Sequence, residues 1–162
     1  MRMPDTVQLR HLFDMHVDLK PAQVIASPEV TRMVFVSTGG TVRGDRIEGE
    51  VMPGGGDWLR VGTDGVGRID VRATIRTHDG ELVALTNTGV IAVPEPARER
   101  FWAGQSLEWD ELHARSSPQF ETGAEQYAWL NSVVTVDADG LVRRKDTYIE
   151  PADLEAVFGS AA

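Results

Sequence analysis

Apolar and polar residues alternate along most of the chain with a period of two, whereas an amphipathic helix would show a period near 3.6. The clearest example is the run 66–77, in which Ile69, Val71, Ala73 and Ile75 alternate with arginine, aspartate and threonine residues. Successive side chains of a β-strand point to opposite faces of the sheet. The run therefore predicts a strand with one apolar face and one polar face.

The same pattern predicts about seven or eight strands in the whole chain. They span residues 7–19, 30–37, 40–51, 57–61, 66–77, 81–93, 127–137 and 141–149. Asp-Gly pairs at 64–65, 79–80 and 139–140 separate several of them, and this dipeptide favours tight hairpin turns because glycine tolerates a positive φ. Residues 94–125 lack a strand period, so we expect a long excursion there with a short helix at 107–114, and a helical turn at 151–158.

Long strands joined by hairpins indicate an all-β fold. We expect a single-domain antiparallel β-barrel over residues 1–162, with one or two short helices in the 94–125 excursion and at the C-terminus. A chain of 162 residues, of which 41% are hydrophobic, is long enough for one core. Small barrels either fill their interior with side chains or keep a cavity for one ligand.

Charge and composition narrow the classes of partner. The formal net charge is −9, from 25 acidic and 16 basic residues, which disfavours binding to phosphate backbones and anionic lipid surfaces. The chain has no cysteine, which excludes thiolate catalysis, cysteine-bound zinc and disulfides and is typical of a reducing compartment. No apolar run resembles a signal peptide or a membrane-spanning helix. We therefore expect a cytoplasmic protein that binds neither nucleic acid nor membranes.

Familiar motifs for metals, phosphates and activated nucleophiles are absent from the sequence. His11 and His16 are the two histidines that lie close together in the chain, and a spacing of five places them on opposite faces of a strand. We expect neither a metal site nor a cofactor.

Polar groups on two predicted strands are candidates for chemistry. Asp70 and Arg72 share one strand face, where they could orient a ligand carbonyl or hydroxyl, or else form a charge ladder on the barrel exterior. Tyr127, Trp129 and Asn131 share a face of the predicted strand 127–137 and could form the wall for a flat oxygenated ligand. The alternative is that they belong to the core and that the backbone satisfies Asn131.

The glycine-rich segment 53–56 is flanked by further polar candidates. Glu48 precedes it, and Asp57 and Trp58 follow it directly. A carboxylate in a partly apolar pocket can serve as general acid or base. The alternative for Asp57 is a hydrogen bond to its own turn, which is common for aspartate beside glycine.

Several of these segments resemble the bacterial and fungal family known as domain of unknown function 3237. The resemblance rests on 39–44 (GGTVRG), 49–58 (GEVMPGGGDW), 64–65 (DG), 70–72 (DVR), 79–80 (DG), 120–122 (FET) and 127–131 (YAWLN), and it spans about residues 7–150. It implies a single-domain antiparallel β-barrel that often associates into oligomers, with no activity established for the family in general. Gly56 stands where the family pattern suggests a small residue such as alanine.

The resemblance also implies that a set of motif positions lines a shared pocket. They are Gly55, Asp57, Trp58, Asp70, Arg72, Tyr127, Trp129 and Asn131.

Three functions are compatible with these observations. The first is a cofactor-independent isomerase, cyclase or hydratase/dehydratase acting on a small oxygenated, partly apolar metabolite. In it Asp57 or Asp70 transfers a proton, while Arg72, Tyr127 and Asn131 polarise a carbonyl. Glu48, Trp58 and Trp129 complete the ligand site.

The second is a barrel that binds a small ligand without chemistry, and the third is a structural role in assembly. The excursion 94–125 could be a lid over the barrel mouth or an arm that contacts another subunit in a homo-oligomer.

Overall fold

The structure is a computed structural model, and it describes residues 9–102, 111, 113–139 and 143–149. Within these ranges there are ten strands, all paired antiparallel, and two helices of eight residues each. The strands are β1 (Arg10–Leu19), β2 (Gln23–Ala26), β3 (Val30–Arg43), β4 (Glu48–Val51), β5 (Gly56–Gly62), β6 (Val66–Thr77), β7 (Leu82–Ala92), β8 (His113–Glu121), β9 (Val134–Asp139) and β10 (Arg143–Ile149). The helices are α1 (Glu95–Trp102) and a 3₁₀ helix (Glu125–Ser132).

The strand pairings form a ring. β1 pairs with β10, and β9, β8, β7 and β6 follow from β10 in that order. β6 pairs with both β4 and β5, and each of these pairs with β3. β3 returns to β1 through pairs that run from Asp14↔Arg43 to Leu19↔Ser37. The predicted all-β, antiparallel barrel-like fold is thus confirmed.

Two details of β1 and β3 differ from the prediction. β3 is one continuous strand where the sequence predicted a break between 37 and 40. A Cβ on Gly40 would lie 2.1 Å from the backbone oxygen of His16, so glycine lets β1 and β3 approach each other here. The register of β1 shifts between His11 and Phe13, so His11 and His16 are both exposed, although their spacing of five predicted opposite faces.

The excursion contains a strand that the sequence prediction missed. α1 confirms a short helix in 94–125, but His113 and Ala114, predicted to end a helix, belong to β8. Its inward positions alternate as buried residues, yet they are mostly small or polar, so no hydrophobic period is visible. They are Ala114, Ser116, Pro118 and Phe120. Residues 107–110, 112 and 151–158 lie outside the described residues.

The strand predicted at 127–137 is wrong for its first half. Residues up to Ser132 form the 3₁₀ helix, and β9 begins only at Val134. Tyr127, Trp129 and Asn131 therefore do not share one strand face. The short alternation of large apolar and polar residues resembled a strand, but the run is too short for its period to decide between the two structures.

The barrel interior holds two clusters of buried side chains. One contains Phe13, Met15, Ile75 and Leu85, and the other contains Met33, Leu59, Ile91 and Phe101. Val71 of β6 packs against both. Among the described residues, no helix combines the length and apolar character that a membrane span requires.

Candidate functional site

A cavity of about 70 Å³ lies where the two core clusters meet. One water molecule needs about 10–15 Å³ by this measure, so the cavity has room for about five. Its wall is mostly apolar and includes Met15, Val17, Phe35, Val71 and Ile91. Four polar residues also contribute to it, namely Ser37, Asp57, Arg72 and Asn87. Few polar groups in an apolar wall are typical of a small-molecule site.

Four of these wall residues belong to one line across the sheet. Phe35 pairs with Asp57, Asp57 with Val71, Val71 with Asn87, and Asn87 with Pro118. We call these five residues the transverse row. Directly paired residues of antiparallel strands project to the same face. Because Asn87 and Pro118 are buried and Val71 packs in the core, this face is the barrel interior.

Asp57 is the carboxylate of the transverse row. Its strand turns Leu59 and Val61 into the core, so alternation turns Asp57 inward as well. Asp57 Oδ1 accepts a hydrogen bond from the backbone N–H of Asp70 at 3.0 Å. The pairs between β5 and β6 pass from Asp57↔Val71 to Arg60↔Arg68. The Asp57 carboxylate thus accepts a hydrogen bond from a backbone N–H where the pairing between β5 and β6 is interrupted. This hydrogen bond fixes the orientation of the carboxylate.

Glycine at position 56 is required for the position of Asp57. A Cβ there would lie 2.2 Å from the backbone oxygen of Phe35 on β3. Gly56 therefore lets β5 lie close against β3 at the residue before Asp57, and alanine would not fit without a backbone shift.

Asn87, the amide of the transverse row, is part of a buried polar network. Its Nδ2 donates to Ser116 Oγ at 2.8 Å and to Asp137 Oδ2 at 3.3 Å. Ser116 Oγ donates in turn to Asp137 Oδ1. Asn87 and Asp137 are each only 1% exposed. Both oxygens of this fully buried carboxyl group thus have hydrogen-bond partners, as buried polar groups require.

The sequence prediction missed this network. The inward position of Asn87 could have been predicted from the alternation of β7. Val83, Leu85 and Ile91 occupy inward positions of this strand, and Asn87 is the polar residue among them. The polarity pattern around Asp137 predicted the wrong face. In β9 Val134 and Val136 are exposed, whereas Thr135 and Asp137 are buried, so the usual relation between polarity and face is inverted.

Asp70 and Arg72, the predicted pair, lie on the outer face of β6. Their side chains are 43% and 66% exposed, and Arg72 Nη2 lies 3.5 Å from Asp70 Oδ1. An exposed pair of this kind stabilises a fold by little. Arg72 is nevertheless among the residues that line the cavity, although its side chain projects outward, whereas Asp70 approaches the site through its backbone N–H alone.

Tyr127 lies away from the cavity, in the 3₁₀ helix. Its hydroxyl donates to Asp79 Oδ1 at 2.9 Å, and Asp79 also accepts hydrogen bonds from Thr77 and Gln126. The Thr77 hydroxyl, followed by Gln126 and Tyr127, lowers the pKa of Asp79 from 3.8 to about 2. Burial and then the Asp79 carboxylate raise the pKa of Tyr127. Tyr127 therefore joins the 3₁₀ helix to the turn after β6.

Trp129 and Asn131 also have structural contacts on the 3₁₀ helix. The Arg46 guanidinium lies 3.5 Å from the centre of the Trp129 ring. Asn131 exchanges two hydrogen bonds with the backbone of Thr122, at 2.8 and 2.9 Å. The alternative interpretation, in which the backbone satisfies Asn131, describes the structure.

Glu48 and Trp58 also lie apart from the cavity wall. Glu48 is exposed on β4, and its carbonyl accepts a hydrogen bond from the His78 N–H at 2.9 Å. Trp58 lies between the inward residues Asp57 and Leu59, so it projects from the outer face, opposite Val34. Of the eight site residues predicted from the sequence, Asp57 and Arg72 line the cavity, and of these two only Asp57 projects its side chain into the barrel.

Among the described residues, no three or more histidine, aspartate or glutamate side chains converge in a group that could hold a metal ion.

Comparison with known proteins places this architecture in a family. The family model described as protein of unknown function (DUF3237) matches residues 7–150. The crystal structure of a conserved protein of unknown function from Rhodopseudomonas palustris is similar with a TM-score of 0.83 and 22% identity, covering 91% of this chain and 99% of that one.

Two further solved structures are similar. A β-barrel-like protein from Acinetobacter baumannii is 29% identical with a TM-score of 0.72, covering 90% of this chain and 97% of its own. A protein described as an enzyme from Penicillium herquei is 24% identical with a TM-score of 0.72, covering 93% of this chain and 99% of its own.

Proposed function

Since the chain belongs to the DUF3237 family, whose description assigns no activity, we propose a function from the cavity itself: this barrel binds a small oxygenated, partly apolar molecule and transfers a proton to or from it. The observation that carries the proposal is the inward carboxylate of Asp57 in an otherwise largely apolar wall. A positioned carboxylate is a common general acid or base. The relative from Penicillium herquei is described as an enzyme, which agrees with this class of function.

The size of the cavity limits the ligand. Five water molecules fill about 150 Å³ of liquid, which corresponds to a ring of about six atoms with one or two oxygen substituents. The apolar wall would pack against the ring, while Asp57 would contact its polar part. Proton transfer in such a site supports isomerisation, cyclisation, or addition and elimination of water.

Asp57 would act as follows on a cyclic ketone. Its carboxylate removes a proton from the carbon beside the carbonyl, and the C–H electron pair moves into the enolate. Return of a proton from the same carboxyl group restores the ketone. In D₂O the carboxyl group exchanges its proton with solvent, so the returned atom is deuterium.

Proton exchange in D₂O therefore tests the proposal without knowledge of the natural ligand. The probes are 2-hydroxycyclohexanone and 2-methylcyclohexanone, and loss of their ring C–H signals is followed by ¹H NMR with and without the protein. We expect the protein to accelerate exchange of at least one probe above the buffer rate. Binding of neither probe would refute the proposal.

Ligand binding without chemistry is the second candidate, and the apolar character of most of the wall favours it. It predicts that the cavity residues respond to a probe while its C–H signals decay at the buffer rate. The same NMR samples distinguish the two functions, because binding and exchange are read from different signals.

A further inference from the structure

Within the described part of the chain, the buried side-chain amide of Asn87 forms hydrogen bonds through its nitrogen but not through its oxygen. Nδ2 donates to Ser116 Oγ and Asp137 Oδ2, but Oδ1 accepts a hydrogen bond from none of the described residues. Buried side-chain acceptors are nearly always paired. Among the described residues, Asn87 Oδ1 is the one buried side-chain nitrogen or oxygen atom without a hydrogen-bond partner.

The network fixes which end of the amide is left over. Ser116 uses its one hydroxyl hydrogen on Asp137, so it can only accept from Asn87. The Asp137 carboxylate also accepts. With an ionised Asp137, exchanging the amide oxygen and nitrogen would place three acceptors against one another. In the structure Nδ2 is directed toward β8 and β9, and Oδ1 lies on the other side of the amide.

Asn87 also lies beside the proposed proton-transferring group. It is part of the cavity wall, and it is separated from Asp57 by Val71 alone in the transverse row. Neighbouring strands are about 4.8 Å apart, so the backbones of Asp57 and Asn87 are about 10 Å apart. The two side chains project inward from the same level of the barrel, and one small ligand can contact both.

We propose that Asn87 Oδ1 accepts a hydrogen bond from the ligand, so that the cavity selects small oxygenated molecules that carry a hydroxyl or N–H donor. The inference rests on the proposed function, because it needs the cavity to bind small molecules. Asn87 is then a specificity-determining residue. A ligand without a donor leaves a buried acceptor unsatisfied, and sites of this kind discriminate strongly against analogues that lack the matching group.

The two probes differ at one substituent, which is a donor in only one of them. 2-Hydroxycyclohexanone and 2-methylcyclohexanone have nearly the same shape, and a methyl group replaces the hydroxyl in the second. We expect the hydroxyl compound to bind about tenfold more tightly. A hydrogen bond to Asn87 Oδ1 should also move the ¹³Cγ resonance of that residue.

The chain offers an internal control for this measurement. It contains two asparagines, Asn87 and Asn131, so ¹³Cγ-asparagine labelling of the full-length protein gives two signals. Asn131 bonds the backbone of Thr122 through both ends of its amide and is not part of the cavity wall. We expect 2-hydroxycyclohexanone to move the Asn87 signal and leave the Asn131 signal in place, and 2-methylcyclohexanone to move neither.

The outcomes separate the two proposals. If both probes shift the methyl signals of Val71 with equal affinity and the Asn87 signal stays in place, donor selection is wrong while ligand binding stands. If neither probe shifts the Val71 methyls at millimolar concentration, ligand binding fails, and donor selection fails with it. Asn87→Leu should abolish the tenfold preference, and the labelled wild-type protein decides the question even if that variant does not fold.

Discussion

The carboxylates of Asp57 and Asp70 lie on opposite faces of the barrel wall, although the backbone N–H of Asp70 donates to Asp57 Oδ1 across 3.0 Å. Both residues are aspartates, and the sequence motifs predicted both as site residues. Of the two, only Asp57 belongs to the cavity wall. Asp70 therefore contacts the site through its backbone, whereas Asp57 takes part through its side chain. Matched substitutions of the two residues can test this difference.

Asp57→Asn should remove the proton exchange that the protein catalyses on 2-hydroxycyclohexanone in D₂O. The amide keeps the size of the carboxylate and its acceptor for Asp70 N–H, but it is not a useful base. We expect the rate above buffer to fall by about 10²-fold or more, since a positioned acid or base contributes about 10²–10⁴-fold. Probe affinity should change much less.

Asp70→Asn is the comparison for this experiment, because it changes the outward carboxylate and keeps the backbone donor. We expect it to retain most of the exchange rate. Equal losses in the two variants, or a loss confined to Asp70→Asn, would contradict the assignment of Asp57 as the proton-transferring group.

The β-strands could be predicted from the sequence where one face is apolar and the other is exposed to solvent, because apolar and polar residues then alternate with a period of two. This holds for β6, whose Ile69 and Ile75 are buried while Arg72 and Arg76 are exposed. It fails where the barrel interior is polar. β9 buries Thr135 and Asp137 and exposes Val134 and Val136, so the pattern pointed the wrong way.

The candidate site was predicted in part for the same reason. Asp57 could be found because it follows a glycine run that marks close strand packing. Ser116 and Asp137 could not be assigned, since their partner Asn87 lies 29 and 50 residues away in the chain and the contact depends on the barrel register. Tyr127 was a reasonable aromatic candidate, but a 3₁₀ helix directs it to Asp79.

Gly56→Ala should destabilise the protein because the added Cβ meets the backbone oxygen of Phe35, and a backbone atom cannot move away as a side chain can. We expect the free energy of unfolding to fall by about 2–3 kcal/mol, the upper part of the range for overpacking in a core. Urea denaturation followed by tryptophan fluorescence measures it.

Gly123→Ala is the matched control. An added Cβ there has no atom within 4 Å among the described residues, and Gly123 is not among the glycines with a positive φ. Its stability should be unchanged or slightly raised, because alanine restricts the unfolded chain. If Gly56→Ala is as stable as Gly123→Ala, the close contact between β3 and β5 is not as rigid as described.

Ser116→Ala should cost more stability than Ser117→Ala, although the residues are adjacent. Ser116 is 6% exposed and links Asn87 to Asp137, so its loss leaves a buried amide and a buried carboxylate with one partner fewer. We expect a decrease of about 1–3 kcal/mol in the free energy of unfolding. Ser117 projects to the outer face and donates to the Thr135 carbonyl, where water can replace it, so we expect about 0.5 kcal/mol.

Stability in acid should depend on Asp79. Its pKa is lowered from 3.8 to about 2 in the folded protein by hydrogen bonds from Thr77, Gln126 and Tyr127, so the unfolded chain binds a proton more readily. The stabilisation is therefore fully present above about pH 4 and is lost as the pH falls toward 2. Asp79→Asn does not titrate, so the stability difference between wild type and variant should shrink across this window.

The carboxyl ¹³C resonance of Asp79, followed from pH 5 to pH 1.5, checks the same claim directly. Tyr127→Phe removes one of the three side-chain donors, so the midpoint should move upward from about 2 toward 3.8. If Asp79 titrates near 3.8 in the wild-type protein, or if Tyr127→Phe leaves the midpoint where it was, then the 3₁₀ helix is not held to the turn after β6 through this carboxylate, and Tyr127 must be considered again as a group available to a ligand.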